Sequence, residues 1–211
     1  MAEFVKDMLR IVSESLQIPT IIILLLLILA TIVIIGSFIA EFVSERKALK
    51  TDIPQLISDI QCKSIEEMKS VIESSGLLKR QKTALYVLIE KSDYPDNTRE
   101  ALARQLLADE EARYARITKL TDVIARVAPM FGLMGTLIPL GPGLIALSQG
   151  DTKTLSDSLL IAFDTTVAGL ISAAVSYAIS GVRKGWYEKY MVGLETLMET
   201  ILDAQSVERK M

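Results

Sequence analysis

Three long stretches without charge interrupt a chain that is otherwise rich in charged residues. They cover residues 15–40, 127–150 and 158–182, and the last is interrupted only by Asp164. A helix needs roughly 20 apolar residues to cross about 30 Å of hydrocarbon. The pattern therefore predicts transmembrane helices over 18–42, 127–149 and 158–182.

The segment before the first span, residues 1–17, has apolar residues at helical spacing and charged residues between them. The apolar positions are Phe4, Val5, Met8, Leu9, Val12 and Leu16. This pattern is typical of an amphipathic helix that lies in the membrane interface. The alternative is a short solvated extension of the first span.

The segments outside the membrane have the composition of soluble helices. The region 43–126 is expected to be helical and cytoplasmic, and its last helix, with Thr98 as N-cap, should continue into the second span because no breaker precedes Pro129. Residues 150–157 form a predicted external loop, and residues 183–211 a cytoplasmic C-terminal helix. The predicted fold is an all-α membrane protein with three transmembrane helices and long cytoplasmic helical extensions.

Basic residues near the span ends predict the orientation. Nine lie on one side of the membrane: Arg46, Lys47, Lys50, Arg113, Arg116, Lys119, Arg126, Arg183 and Lys184. Lys189 follows on the same side, where Trp186, Tyr187 and Tyr190 resemble an interfacial aromatic belt. On the other side of the membrane, the only basic residues are Lys6, Arg10 and Lys153. Because cytoplasmic loops carry the excess of Lys and Arg, we expect an external N-terminus and a cytoplasmic C-terminus in the cell membrane.

The composition excludes several classes of function. The chain has no histidine and one cysteine, Cys62, so common zinc ligand sets and Ser-His or Cys-His catalysis are absent. A net charge of −3 without a basic stripe does not favour nucleic-acid binding. We therefore expect neither an enzyme nor a protein that needs a metal or cofactor.

The second span is unusually rich in glycine and proline. Gly132 and Gly135, with Gly169 in the third span, are small residues of the kind that allow membrane helices to approach closely. Ordinary tight packing explains them as well as a direct role in function does. Pro139 and Pro142, in PLGPG, remove backbone hydrogen bonds and, like Pro129, are expected to kink or loosen the helix.

Asp164 is the acidic residue of the third span, and Thr165 and Thr166 follow it. A carboxylate at the centre of a membrane helix costs roughly 2.5 to 3.5 kcal/mol, so a role or a polar partner is expected. The alternative is that Asp164 reaches outward or caps a backbone group. The threonine hydroxyls have an equally plain alternative, which is a hydrogen bond to the preceding turn of their own helix.

Both spans contain motifs of a known family. The stretch LTDVIARVAPMFGLMGTLIPL resembles the second-span signature of the MotA/TolQ/ExbB proton-channel family through Ala128, Pro129, Gly132, Leu133, Gly135 and Thr136. The third span is similar to the family pattern at Ala162, Phe163, Thr165, Thr166, Gly169, Leu170 and Tyr177. Three spans resemble the TolQ/ExbB branch more than the four-span flagellar branch. In that branch the acidic residue stands three positions before Asp164, where this chain has Ile161.

The resemblance implies an assembly that composition does not reveal. It implies a homo-pentamer in the lipid bilayer, with a central pore that receives a single-span TolR/ExbD/MotB-like partner carrying a transmembrane Asp. In this picture Thr136 and Thr166, with Thr165 beside them, line the ion path. The chain is then the pore-forming subunit of a proton-driven channel or motor complex. The alternatives are a non-conducting scaffold that recruits cytoplasmic partners and a small secondary transporter that uses a broken PLGPG helix.

Overall fold

The computed structural model describes residues 1–45, 52–61 and 65–210, and in these ranges the chain is helical apart from short connections. The helices are α1 (Ala2–Ser15), α2 (Gln17–Glu45), α3 (Ile53–Gln61), α4 (Ile65–Ser74), α5 (Lys79–Glu90), α6 (Asp96–Ser148) and α7 (Thr152–Lys210). The predicted all-α fold class is confirmed. Arg46, Lys47 and Lys50, which contributed to the predicted orientation, lie outside the described residues, as does Cys62.

Three of the described helical segments are long and apolar enough to cross a membrane: Arg10–Val43, Asp96–Ser148 and Thr152–Ser206. Each overlaps one predicted span, and the predicted number of three is confirmed. The first segment joins α1 to α2 through Leu16, whose own backbone is helical at φ −79° and ψ −9°. The placement of α1 at the membrane interface stays a prediction.

Helix α6 begins before the predicted N-cap. The carbonyl of Pro95 accepts the backbone N–H groups of Thr98 at 2.9 Å and Arg99 at 3.0 Å, so the helix starts at Asp96. The prediction that Thr98 caps this helix is wrong, because Thr98 already lies in its first turn. The prediction of one continuous helix into the second span is confirmed, since α6 runs without interruption to Ser148.

The PLGPG segment does not interrupt α6. Pro129, Pro139 and Pro142 all lie inside the helix. Each proline removes one backbone N–H, yet the helix continues through all three positions. The broken helix on which the transporter alternative depends is therefore not observed in this part of the chain.

The connection between α6 and α7 is shorter than the predicted loop 150–157. Gly150 adopts φ +81°, and the N–H groups of Gly150 and Asp151 bond back to the carbonyls of Leu147 (3.0 Å) and Ala146 (2.9 Å), which closes α6. The side chain of Asp151 then accepts the N–H of Thr154 at 3.0 Å and opens α7 at Thr152. The hydrogen bonds from the Thr154 hydroxyl and from the Thr154 backbone N–H lower the pKa of the Asp151 carboxyl.

The chain forms two compact units. The first consists of residues 1–38 and 119–181, and contains a buried apolar cluster of Ile34, Ile124, Ala128, Ala173 and Ile179. The second consists of residues 39–118 and 182–211, and its core comprises Leu56, Ile60, Met68, Ile72, Leu85, Leu88, Ile89, Leu194, Leu197, Met198 and Ile201, among others. Each unit therefore has an apolar core of its own.

Candidate functional site: the packed face of α6 and α7

Glycines bring the backbones of α6 and α7 into close contact within the first unit. A β-carbon added at Gly135 would lie 2.6 Å from Cβ of Thr165, and one added at Gly169 would lie 2.7 Å from the carbonyl oxygen of Ala128 and 2.9 Å from Cα of Gly132. Real Cβ atoms do not come this close to such neighbours. The two helices therefore meet at a surface that only glycine permits, as is common in membrane helix pairs.

Thr165 is part of this contact. Its side chain is buried against Gly135, and its hydroxyl donates to the carbonyls of Ile161 at 2.9 Å and Ala162 at 3.0 Å. This hydroxyl already has partners in its own helix, and its methyl group and Cβ pack against α6. The geometry favours a packing role for Thr165, and its predicted part in an ion path is not tested by this contact.

Thr136 and Thr166 are only half-buried in the single chain. The Thr136 hydroxyl donates to the carbonyl of Leu133 at 2.7 Å, and that of Thr166 to the carbonyl of Ala162 at 3.1 Å. Each hydroxyl oxygen still has acceptor capacity after donating its proton. Both threonines could therefore accept a hydrogen bond from a water molecule or a partner group.

The Gly135–Thr165 contact determines on which side of the helix pair the neighbouring residues lie. Thr136 and Thr166 each follow a contact residue, and one residue turns a helix by about 100°. Because α6 and α7 run in opposite directions, these two rotations carry Thr136 and Thr166 to the same side of the pair. Asp164 precedes its contact residue and is carried to the opposite side.

Asp164 is exposed in the single chain and has apolar neighbours. Phe163, Val167 and Ile171, which are one residue before it and three and seven residues after it, are 65%, 54% and 59% exposed. The carboxyl group thus belongs to an outward apolar face of α7. In a bilayer this face must meet either lipid or another protein surface.

A row of buried hydroxyl groups continues from this contact along α7, and sequence reasoning missed it. Ser172, Ser176 and Ser180 are 3%, 0% and 3% exposed. The Ser180 hydroxyl donates to the Asp122 carboxylate on α6 at 2.5 Å. The spacing of four residues between these serines was a signal available in the sequence.

The second unit contains a buried ion pair that the sequence did not reveal. Nε of Arg183, on α7, lies 2.8 Å from a carboxylate oxygen of Glu41, near the end of α2, and the Tyr187 hydroxyl donates to the other oxygen. The side chains of Arg183 and Glu41 are 4% and 15% exposed. The pair therefore joins α2 to α7 at a place where water has little access.

The aromatic residues near this pair pack inside the second unit. The ring of Tyr187 stacks on Tyr114 with centroids 4.2 Å apart, Trp186 stacks on Phe42 at 5.8 Å, and Tyr187 and Tyr190 are each 5% exposed. The interpretation of both tyrosines as an interfacial belt is wrong for the folded chain, because their rings are covered by protein. Among the described residues no cluster of three or more acidic, Cys or His side chains could hold a metal ion.

Comparison with known proteins agrees with this architecture. Residues 47–196 match the MotA/TolQ/ExbB proton channel family. The chain is also similar to the biopolymer transport protein exbB1 of Vibrio cholerae serotype O1, with 26% identity over 148 residues. That alignment covers 64% of this chain and 63% of the relative, so the chain spans less than two thirds of the length of the curated relative it matches.

The chain belongs to the MotA/TolQ/ExbB proton channel family. It is therefore a membrane protein of a family of channel and transport-energising proteins rather than of enzymes. Its close helix contact, through Gly132, Gly135, Thr165 and Gly169, lies within the two segments that carry the family motifs.

Proposed function

We propose that this chain is the pore-forming subunit of a proton-driven complex in the cytoplasmic membrane. The complex would be a pentamer around a central pore and would couple proton flow to mechanical work through a single-span partner of the TolR/ExbD type. The observation that carries the proposal is the common side and level of Thr136 and Thr166 on the α6–α7 pair. Two neutral hydroxyls at one level can hydrate a short path beside a titrating carboxylate without adding a second buried charge.

The proposal includes an orientation of the chain in the membrane. The basic residues at the span ends favour a cytoplasmic second unit and an external N-terminus. The Gly135–Thr165 contact then keeps α6 and α7 together while Thr136 and Thr166 face the pore. The partner's transmembrane Asp would take up and release the proton next to these hydroxyls.

The test is proton flux through liposomes that contain the chain and its single-span partner. Thr136→Val and Thr166→Val keep the shape of the side chain and remove the hydroxyl. Losing one hydrogen bond of about 1 kcal/mol along the path lowers flux by roughly fivefold, while assembly is retained. Thr31→Val is the matched control, because the Thr31 hydroxyl, on α2, is buried and donates to the carbonyl of Leu27 in its own helix.

Two outcomes contradict the proposal at different levels. If both Val variants conduct as the wild type does, the threonines are structural and the path lies elsewhere. If the wild-type complex assembles with its partner and conducts no protons, the pore itself is closed and the scaffold alternative is favoured.

A further inference from the structure

Two buried hydroxyl groups of the first unit have no hydrogen-bond partner within the described chain. They belong to Thr121 on α6 and Ser176 on α7, and both side chains are 0% exposed. Most other buried or half-buried threonines of the long helices, such as Thr31, Thr118 and Thr165, donate to a carbonyl of their own helix. An unsatisfied buried hydroxyl costs free energy, and in proteins such groups are commonly paired with internal water.

Both hydroxyl-bearing residues lie within four positions of a residue of the Asp122–Ser180 hydrogen bond. Thr121 precedes Asp122 in α6, and Ser176 lies one helical turn before Ser180 in α7. The four oxygen-bearing side chains therefore lie within about two turns of one another along the α6–α7 pair, at the end of the first unit. They offer a carboxylate and three hydroxyls, which is a suitable environment for bound water.

The position of Asp122 relates this site to the two threonines of the proposed pore. Asp122 precedes Thr136 by 14 residues and Ser180 follows Thr166 by 14 residues. Fourteen residues are close to four full turns, so Asp122 and Ser180 return to the side of the helix pair that carries Thr136 and Thr166, about 21 Å further along. Basic residues assign that end of the pair to the cytoplasm.

Basic residues flank Asp122 and Ser180 along both helices. Four basic residues lie within about one turn of Asp122 or Ser180 along the two helices: Lys119, Arg126, Arg183 and Lys184. On α2, no residue from Gln17 to Phe38 is charged, and Glu41, the next charged residue, is bonded to Arg183. The Ser180 hydroxyl donates to the Asp122 carboxylate, so this carboxylate acts as a hydrogen-bond acceptor in the site.

We infer that Thr121, Asp122, Ser176 and Ser180 form a water-binding site in which the Asp122 carboxylate accepts protons that leave the pore towards the cytoplasm. The transfer adds one proton to a carboxylate oxygen, and that proton passes to water on the cytoplasmic side. The link to the pore rests on the proposed function, whereas the hydrated carboxylate site is a property of the single chain. The two parts are therefore tested separately.

The first experiment uses the chain alone in lipid nanodiscs. Infrared difference spectra between acidic and neutral pH record the carbonyl stretch of protonated carboxyl groups, and Asp122→Asn identifies the band of Asp122. We expect Thr121→Val and Ser176→Ala to shift this band and to lower the melting temperature, because each removes a partner of the bound water. Thr118→Val is the matched control, since its buried hydroxyl donates to the carbonyls of Tyr114 and Ala115.

If the band of Asp122 is unchanged in both variants, or if both variants melt at a higher temperature than the wild type, the hydroxyls are merely unsatisfied and the site is refuted.

The second experiment measures proton flux with the single-span partner. Asp122→Asn should lower flux by about tenfold or more, because a positioned proton acceptor is lost. Normal flux in an assembled Asp122→Asn complex refutes the proton-accepting role of Asp122 and leaves the proposed function intact. Absent flux in the wild-type complex contradicts the proposed function, but the first experiment, on the chain alone, stays valid.

Discussion

At the scale of single residues, the glycines of the membrane helices divide into two groups. Gly135 and Gly169 face another helix at distances that exclude a β-carbon, whereas nothing lies within 4 Å of the β-carbon position at Gly141 or Gly181. Some glycines of these helices are therefore required by close packing, and others are not. Only the packed glycines are expected to be intolerant of substitution.

Alanine at Gly135 or Gly169 should destabilise the protein, whereas alanine at Gly141 or Gly181 should not. Overpacking typically costs about 1 to 3 kcal/mol, while replacing an exposed helical glycine by alanine gains up to about 1 kcal/mol. Gly169→Ala should cost more, because its new methyl group meets backbone atoms that no rotamer change can move. Thermal unfolding in detergent measures all four variants, and equal melting temperatures would show that the close contact does not persist in the membrane protein.

At the scale of helices, the buried ion pair between Glu41 and Arg183 holds the end of α2 against α7. The two residues are 142 positions apart, so no local pattern could reveal the contact. Arg183 was assigned from sequence to a basic cytoplasmic flank, and Glu41 to the end of the first span. The structure adds that they are partners and are shielded from water.

Removing either partner should leave the other charge buried and uncompensated. Glu41→Ala and Arg183→Ala are each expected to cost about 3 to 5 kcal/mol, and the double variant clearly less than the sum. The control is Glu14→Ala, which breaks the exposed Arg10–Glu14 pair and should change stability by less than about 1 kcal/mol. Additive effects of Glu41→Ala and Arg183→Ala in chemical unfolding would show that the two charges do not interact.

Helix existence was predictable, and helix ends and contacts were less so. Long uncharged stretches identify membrane spans directly, because a charge in lipid is costly whichever residues surround it. The early start of α6 depends on the carbonyl of Pro95, and the short connection to α7 depends on the left-handed backbone of Gly150 and the cap of Asp151. These signals were present in the sequence as turn-forming residues, but their geometry decides which residue ends the helix.

For the candidate site, the sequence indicated which residues belong to the motifs, but not which faces of α6 and α7 pack together. Gly132 and Gly135 could be selected from sequence, because small residues are informative in a membrane helix, and Thr166 was selected through its position in a family motif. The burial of Thr165 and the hydrogen bond between Asp122 and Ser180 depend on which faces of α6 and α7 meet. That information comes from packing between residues far apart in the chain.

At the scale of the whole molecule, the exposed apolar face that contains Asp164 is a surface that the proposed pentamer can cover. An Asp side chain among Phe163, Val167 and Ile171 would contact hydrocarbon in an isolated subunit. The cost is below the roughly 2.5 to 3.5 kcal/mol of a helix centre, because Asp164 lies about two turns inside the span. A neighbouring subunit in the proposed pentamer can supply a polar partner on this side, opposite Thr136 and Thr166. We therefore propose that Asp164 belongs to an interface between subunits rather than to the pore.

This assignment predicts different results for two substitutions of Asp164. Asp164→Asn retains hydrogen-bonding groups, so the oligomer should persist and at least part of the proton flux should remain. Asp164→Leu has no hydrogen-bonding side chain and should weaken subunit association, even though leucine is favourable in lipid. If Asp164 instead faced lipid, the leucine variant would be the more stable of the two.

Native mass spectrometry in mild detergent and flux measurements in liposomes distinguish these cases. Val167→Leu, on the same face of α7, is the control for a change in apolar volume alone, and its oligomer should resemble that of the wild type. A pentamer that survives Asp164→Leu without loss would remove Asp164 from the interface. An intact Asp164→Asn pentamer without any flux would place Asp164 in the proton path, because the amide keeps the hydrogen bonds and loses only the ability to bind and release a proton.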